Sequence, residues 1–401
     1  MNVKNQLLID KYIAKPTVFL LNFLVRIVGK LTSINHDLNT EFKTIAICKF
    51  KGMGSILQAT PMIEAIRCRY PNAQIIFVST KSNMNLLEKI DWIDTIITVD
   101  DSNFLKFVKT NIRSIFLLMR IRPELYIDLE IYSDYSTLFS LFTLSKNRIG
   151  FYLRSSSFRM GIYTHMMFFN PRVPISNVYL QIAQLIGCDT ENKKLFPLKS
   201  NNLTTRKHQY LVINPNASDL RLERKWGKDK FIELIQIILQ NYSEFDILLI
   251  GGKDEVEYTT EIEKAINSDR VFNTSGKTSI DELVNIITHA KLMISNDTGP
   301  MHIAFCTNTP IICLFGPCSP EQYGINNEAH IIYKNAYCSP CVHDFEIPPC
   351  KGNNVCMHLI PVNEVFEKTK ALIDNQTSLN SQKMTDFIYK VKNNVLGKVY
   401  R

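Results

Sequence analysis

Short apolar runs alternate along the chain with longer stretches in which apolar residues return every third or fourth position. The runs read as buried strands and the stretches as amphipathic helices. Residues 44–50 (TIAICKF) form such a run, which breaks at Lys51-Gly52-Met53-Gly54. A helix is predicted over 56–69, with Pro61 in its first turns, where a missing N–H is tolerated. Tyr70-Pro71-Asn72 stops it, and strands are predicted at 74–79, 95–99 and 125–129. The pattern restarts after a polar stretch at 199–208. It gives strands at 210–214, 246–250, 292–295 and 310–315, with helices at 228–240 and 280–288. Strands alternating with helices imply parallel sheets covered on both faces. Two doubly wound α/β units in tandem put a ligand at the carboxyl ends of their strands, in the cleft between them.

The expected organisation is a helical leader (1–43), two doubly wound domains (44–200 and 201–365) and a helical tail (366–401). The leader contains PTVFLLNFLVRIVGKL at 16–31, an amphipathic helix that either docks on the body or lies in a membrane interface. Lys11, Lys15, Arg26 and Lys30 favour the second arrangement. No uncharged apolar stretch of about 18 residues occurs to span a bilayer, and the leader lacks the layout of a signal peptide. A cytoplasmic location is expected, with peripheral association at the inner face of the cytoplasmic membrane. The tail either returns to the first domain or lies on an anionic membrane.

Lys and Arg number 46 against 38 Asp and Glu, a net charge of +8. That excess suits an anionic partner such as a phosphorylated ligand, acidic polysaccharide or lipid headgroups. It is too diffuse for nucleic acid, because no basic run is interleaved with stacking aromatics.

Three loops of the second half fall at strand ends. The first, Asn214-Pro215-Asn216-Ala217-Ser218, leads to Arg221, Arg224 and Lys225. The second is Gly251-Gly252-Lys253-Asp254-Glu255. The third, Asn296-Asp297-Thr298-Gly299-Pro300-Met301-His302, follows a strand and opens a helix. Small residues there let N–H groups approach a phosphate, and the basic side chains neutralise it. Taken together they predict a nucleotide site; taken singly, each is ordinary turn and capping chemistry. In the first half Gly52-x-Gly54 follows a strand, but neither a full G-x-G-x-x-G nor a P-loop is present. Hydride transfer and ATP hydrolysis therefore lose their most direct support.

At these residues the chain resembles the heptosyltransferases, glycosyltransferase family nine. The resemblance is carried by KFKGMGSILQATPMIEAI, INPNASDLRLERKW, LLIGGKDE and SNDTGPMHIAFCTNTPIICLFGPCSP, and covers residues 44–365. It implies a GT-B fold, two Rossmann-like domains facing a cleft, and a metal-independent, inverting sugar transfer in bacterial surface-glycan assembly. The second domain would hold a nucleotide-sugar, ADP-heptose in the best-known members; the first would hold a lipopolysaccharide or other glycan acceptor. Asp297, Thr298, Gly299 and His302 match the family's donor diphosphate and sugar motif. Ser218, Arg224 and Lys225 match the residues that steady the phosphates. The family usually has Lys at the place of Arg224, so Lys225 is an alternative for that work. Glu255 or Glu257 falls where an acidic residue holds the ribose.

One departure matters. The family's first loop usually reads Gly-Asp, with that Asp as the favoured base, whereas this chain has Gly54-Ser55. An unassisted serine hydroxyl cannot take a proton from a sugar alcohol near neutral pH. Asp128 and Glu130, at the end of a first-half strand, are the substitutes, Glu130 preferred. Arg148 or Arg154 could instead pair with Glu130, and those two with Arg159 are candidates for gripping an anionic acceptor. If catalysis is lost, the alternative is a nucleotide-sugar-binding scaffold; a second enzyme reading is a GT-B epimerase. Cys338, Cys341, Cys350 and Cys356 are clustered, offering a structural zinc or iron site, reduced thiols or disulfides, with His343 or His358 as substitute ligands.

Overall fold

A computed structural model describes residues 8–152, 159–199, 208–217, 221–324, 326, 329–342, 350 and 353–374. The first domain opens with a π turn, Asp10–Ala14, running into helix α1 (Lys15–Thr32). Its strands are β1 (Thr44–Cys48), β2 (Gln74–Thr80), β3 (Thr95–Val99), β4 (Leu125–Asp128), β5 (Asn147–Tyr152) and β6 (His165–Phe168). Around them stand α2 (Met53–Gln58), α3 (Thr60–Arg69), α4 (Met84–Leu87), α5 (Phe104–Ile121), α6 (Asp134–Phe142) and α7 (Ile175–Leu185). The second domain has β7 (Gln209–Asn214), β8 (Phe245–Leu249), β9 (Val271–Asn273), β10 (Leu292–Asn296), β11 (Ile311–Phe315) and β12 (Ala329–Tyr333). Its helices are α8 (Lys228–Asn241), α9 (Val256–Ile266), α10 (Ile280–Thr288), α11 (Gly299–Thr307), α12 (Pro320–Tyr323), α13 (Val355–His358) and α14 (Val362–Ile373).

Every strand pair is parallel. The orders β3-β2-β1-β4-β5-β6 and β12-β11-β10-β7-β8-β9 are the same winding read from opposite edges. This is the tandem doubly wound architecture expected from the pattern. The central strands are buried on both faces, which is why TIAIC and LMISN read as continuous apolar runs rather than alternating ones. One apolar cluster runs from Ile45 and Ile47 through Met62 and Tyr179 to Met293 and Phe315, so the domains share a core across their junction.

Two elements depart from the pattern. The helix expected over 56–69 is two helices that meet at Ala59. There the Thr60 hydroxyl donates to the Leu57 carbonyl at 2.6 Å, and Pro61 has no N–H to continue the ladder. The C-terminal helix α14 does not return to the first domain; it packs on α8, with Val365 and Phe366 in the second domain's core. Residues 375–401 of the tail lie outside the described residues, as do 200–207 of the expected domain boundary. The leader helix is docked on the body: Ala14, Val18 and Asn22 are its buried positions.

Candidate functional site

Four neighbouring strands of the second sheet, β10, β7, β8 and β9, end side by side. They bring together Asn296-Asp297, Asn214 to Asn216, Ile250-Gly251 and Asn273 to Ser275. The asparagines tie the ends to one another. Asn214 Nδ2 donates to Ser295 Oγ at 3.0 Å and Thr298 Oγ1 at 2.6 Å. Asn216 Nδ2 donates to the Ile250 carbonyl at 2.7 Å, and Asn296 Nδ2 to the carbonyls of Pro215 and Asn216 at 2.9 and 3.1 Å.

Asn214 Oδ1 accepts from Asn216 Nδ2 at 3.3 Å, and Asp297 Oδ2 and Arg224 Nε are buried facing each other as an ion pair. Asn216 Oδ1, Asn296 Oδ1 and Ser275 Oγ, by contrast, are buried without a hydrogen-bond partner. Each such atom costs about 1–3 kcal/mol if nothing pairs with it, so their gathering at one set of strand ends fits a polar ligand. Gly251 floors the same place: a Cβ there would stand 2.7 Å from Asn216 Nδ2, 2.8 Å from Ser275 Oγ and 3.2 Å from Glu255 Oε2. Glu255 is held by the Gly252 N–H, which donates to Oε2 at 2.7 Å.

Beside this pocket α11 begins, with Thr298 as its N-cap residue; Pro300 has no N–H, the Met301 N–H donates to the Thr298 carbonyl at 3.2 Å, and the positive end of the helix dipole faces the loop. Arg224, on the short turn Leu222–Arg224, approaches the same loop. Its Nε lies 3.6 Å from Asp297 Oδ2, and it donates to the Asp297 carbonyl at 3.3 Å. Although burial opposes its charge, the neighbouring Cys318 and Asp297 raise the guanidinium pKa above the ordinary arginine value. Lys225 points elsewhere, its ammonium 4.0 Å over the Tyr258 ring, so Arg224 is the cation at the loop. Ser218 lies outside the described residues.

α11 also carries the contact between domains. His302 is buried against Gly54, where any Cβ would overlap its ring, and Gly299 faces Met53. Burial lowers the His302 pKa to about 4. The Gln58 amide donates to Nδ1 at 3.0 Å, which leaves the proton of the neutral ring on Nε2, on the side of Gly54. Gly52, at φ +87°, turns the chain into α2 in a conformation that favours glycine. Ser55 lies near the hydroxyl of the buried Tyr179.

The two carboxylates expected to supply the base are differently engaged. Glu130 Oε1 accepts from the Phe50 and Lys51 N–H groups at 2.8 and 2.9 Å, and Oε2 accepts from Lys49 Nζ at 2.8 Å. Its partner is thus Lys49, not an arginine, and its lone pairs hold the loop that precedes Gly52. Asp128 is sealed in the first domain, where burial raises its pKa to about 6 and Tyr163 donates to it at 2.5 Å. Both carboxylates are thus already engaged by the chain's own groups. The arginines are structural too. Arg148 Nε donates to the Ile162 carbonyl at 2.7 Å, and the fully buried Arg159 donates to the Ile131 carbonyl at 2.8 Å. Arg154 lies outside the described residues.

The four clustered cysteines are free. Cys341 and Cys356 are buried, which pushes each thiol up to about 11, with neighbouring cysteines of the cluster adding to the rise. Among the described residues no three His, Cys, Asp or Glu side chains are arranged to hold a metal ion; His343 lies outside them. The site residues that sequence reasoning missed are Gln58, Lys49 and Ser275. Gln58 had a signal, one helical turn beyond Gly54, whereas Ser275 follows a strand only three residues long.

The profile of glycosyltransferase family 9 (heptosyltransferase) matches residues 136–350. A lipooligosaccharide heptosyltransferase 2 from Campylobacter jejuni is 30% identical over 190 residues, 45% of this chain and 56% of that protein. The chain thus spans little more than half the length of this relative. The lipopolysaccharide core heptosyltransferase OpsX of Haemophilus influenzae is 24% identical over 348 residues, 82% of this chain and 97% of its own. The solved structure of Escherichia coli ADP-heptose lipopolysaccharide heptosyltransferase II superposes with a TM-score of 0.66 at 19% identity, covering 84% of this chain and 100% of that one. That likeness shows the shared GT-B fold. With its profile matched over more than half of its length, the chain belongs to glycosyltransferase family 9, the heptosyltransferases.

Proposed function

We propose that the protein transfers heptose from ADP-heptose to the saccharide of a lipopolysaccharide or related surface-glycan acceptor, inverting the anomeric carbon without a catalytic metal. The observation that carries this reading is the group of buried polar atoms without a hydrogen-bond partner at adjacent strand ends, Asn216 Oδ1, Asn296 Oδ1 and Ser275 Oγ, beside the Arg224–Asp297 ion pair and the start of α11. The N-terminal end of α11 and Arg224 take the diphosphate; Asn216 and Glu255, around Gly251, take the ribose. The acceptor enters over Gly52 to Ser55. As its hydroxyl attacks the anomeric carbon, the bond from that carbon to the diphosphate breaks, and the hydroxyl proton passes through water to the departing phosphate. The negative charge that grows on the diphosphate lies beside the guanidinium and the helix N-terminus. Approach of the two domains through Gly54 and His302 keeps bulk water from the donor. Glu130 is a positioning residue in this reading, shaping the Lys49–Ser55 loop. No step runs through a metal, and zinc or iron on Cys338, Cys341, Cys350 and Cys356 has no part in it.

The test is calorimetry of the full chain against ADP-heptose and against GDP-, UDP- and dTDP-sugars, followed by ADP release with and without extracted glycan acceptor. Selective binding of ADP-heptose and acceptor-dependent ADP release are expected. Preference for another nucleotide-sugar would remove the heptose assignment, and no binding across the panel would sink the donor site itself.

A further inference from the structure

The first domain carries a broad apolar surface that nothing in the described chain covers. α1 is held to the body by a narrow stripe: Ala14, Val18 and Asn22, four residues apart, are buried, and Asn22 Oδ1 accepts from the Gly161 N–H at 2.6 Å. Just upstream, the Asp10 carboxylate accepts from the N–H groups of Asp134 and Tyr135 at 3.2 and 2.7 Å, at the start of α6. At about 100° per residue the far side of this helix carries Phe19, Phe23, Leu24, Ile27 and Leu31, all exposed, Leu31 at 81%. α5 repeats the arrangement. Asn111, Ser114 and Leu118 face the body, and Leu105, Val108, Ile112 and Phe116 lie exposed on the opposite side, Leu105 at 80%.

Both helices pack against α6, so they lie on one side of the first sheet. Neither contains an Asp or Glu. Lys15, Arg26 and Lys30 flank the apolar arc of α1, and Lys106, Lys109, Arg113 and Arg120 that of α5. We propose that α1 and α5 together form a bilayer-docking face, with both helices lying in the interface of an anionic phospholipid leaflet. Charge decides the occupant. A second copy seated symmetrically would set two acid-free, basic helices against their own kind, whereas anionic headgroups match the basic flanks and acyl chains match the apolar arcs. Asp10–Thr32 is also long and apolar enough to cross a membrane. Its Ala14, Val18 and Asn22 stripe is instead buried against the body and its basic residues line one flank, which suits a helix that lies flat. The docking face does not depend on the donor chemistry proposed above.

Flotation of the full chain with vesicles of phosphatidylethanolamine and phosphatidylglycerol, against phosphatidylcholine alone, tests it. Binding to the anionic vesicles, weakened by salt, is expected. F23D/I27D in α1 and L105D/I112D in α5 change only exposed side chains, and each should lower the bound fraction at least about tenfold. Calorimetry with ADP-heptose on the same variants reports separately on the donor site. Absence of binding to the anionic vesicles, or a loss confined to one of the two helices, would overturn the proposal. So would a stable oligomer in solution that these variants dissociate, since the face would then belong to a second copy.

Discussion

The two domains share one strand order and present opposite faces to their surroundings. In the second, the strand ends leave buried polar atoms without partners, and the described surface exposes few large apolar side chains: Leu222, Val256, Phe272, Tyr337 and Leu359. In the first, the corresponding strand ends are satisfied from within, Glu130 by Lys49 and two N–H groups, Asp128 by Tyr163 and the Glu130 N–H. Its apolar residues gather instead on the outside of α1 and α5. The winding determines where a ligand can sit. Whether a half is built for a small polar ligand is read from where its unpartnered buried groups lie: the first half has them too, but scattered, as with Ser140 Oγ in α6 and Asn147 Oδ1 at the start of β5.

The sharpest way to break this contrast is to change a group that only one half needs. R224A leaves Asp297 buried beside the diphosphate pocket without its cation, and removing one partner of such a pair costs about 3–5 kcal/mol. Donor affinity measured by calorimetry should fall at least about a hundredfold, with vesicle flotation unchanged; a loss of flotation would mean the halves are not separable. E130Q should cost the first domain about 3 kcal/mol by removing the charge that pairs with Lys49. Thermal unfolding and kinetics are the readouts: kcat should drop while the donor Kd stays within about twofold, and a pH–rate profile that keeps its acid limb would exclude Glu130 as base.

G54A sets a methyl group into the His302 ring and should cost about 1–3 kcal/mol. Because the clash spans both domains, transfer and donor affinity should fall together, and the double variant G54A/H302A should recover part of each. Separate additive losses would show that the contact does not couple the halves.

The smallest effect is a pair of opposed pH slopes. His302, whose pKa is lowered to about 4, costs stability as pH falls from its ordinary 6.5 through 4, because the unfolded chain then takes up the proton first. Asp128, raised from 3.8 to about 6, costs stability as pH rises through that window, because the unfolded chain then ionises first. Tm measured between about pH 4 and 7 should therefore drop more steeply toward acid in D128N than in the parent, by roughly a few degrees. A shallower slope in D128N would reverse the assignment.

Much of the fold was legible in the chain. The central strands are long apolar runs, and β1, β2, β7, β10 and β11 stand within a residue or two of where the pattern put them. β5, β6, β9 and β12 went unread because they lie toward the sheet edges, where NRIGFY or HMMF mixes polar and apolar residues without a steady period. The three loops of the second half were legible as strand-end loops for a related reason: backbone that turns sharply there calls for Gly, Asn, Thr and Asp. The identity of the cation was not, since Arg224 and Lys225 are neighbours in sequence and only the fold turns one to Asp297 and the other to Tyr258. The partners of Glu130 and Asp128 were not legible, because a carboxylate near a strand end looks the same in sequence whether its lone pairs are open or taken.

The ring of His302 resting on Gly54 has a consequence for the order of events. On the proposed reading α11 carries the donor loop at its start and this ring one turn further on, so the helix would serve both recognition surfaces. Thermodynamic reciprocity would then apply: by whatever factor a seated acceptor changes the hold on nucleotide-sugar, the nucleotide-sugar changes the hold on acceptor by the same factor. A glycine with no room for one added carbon would make the two proposed ligands report on each other.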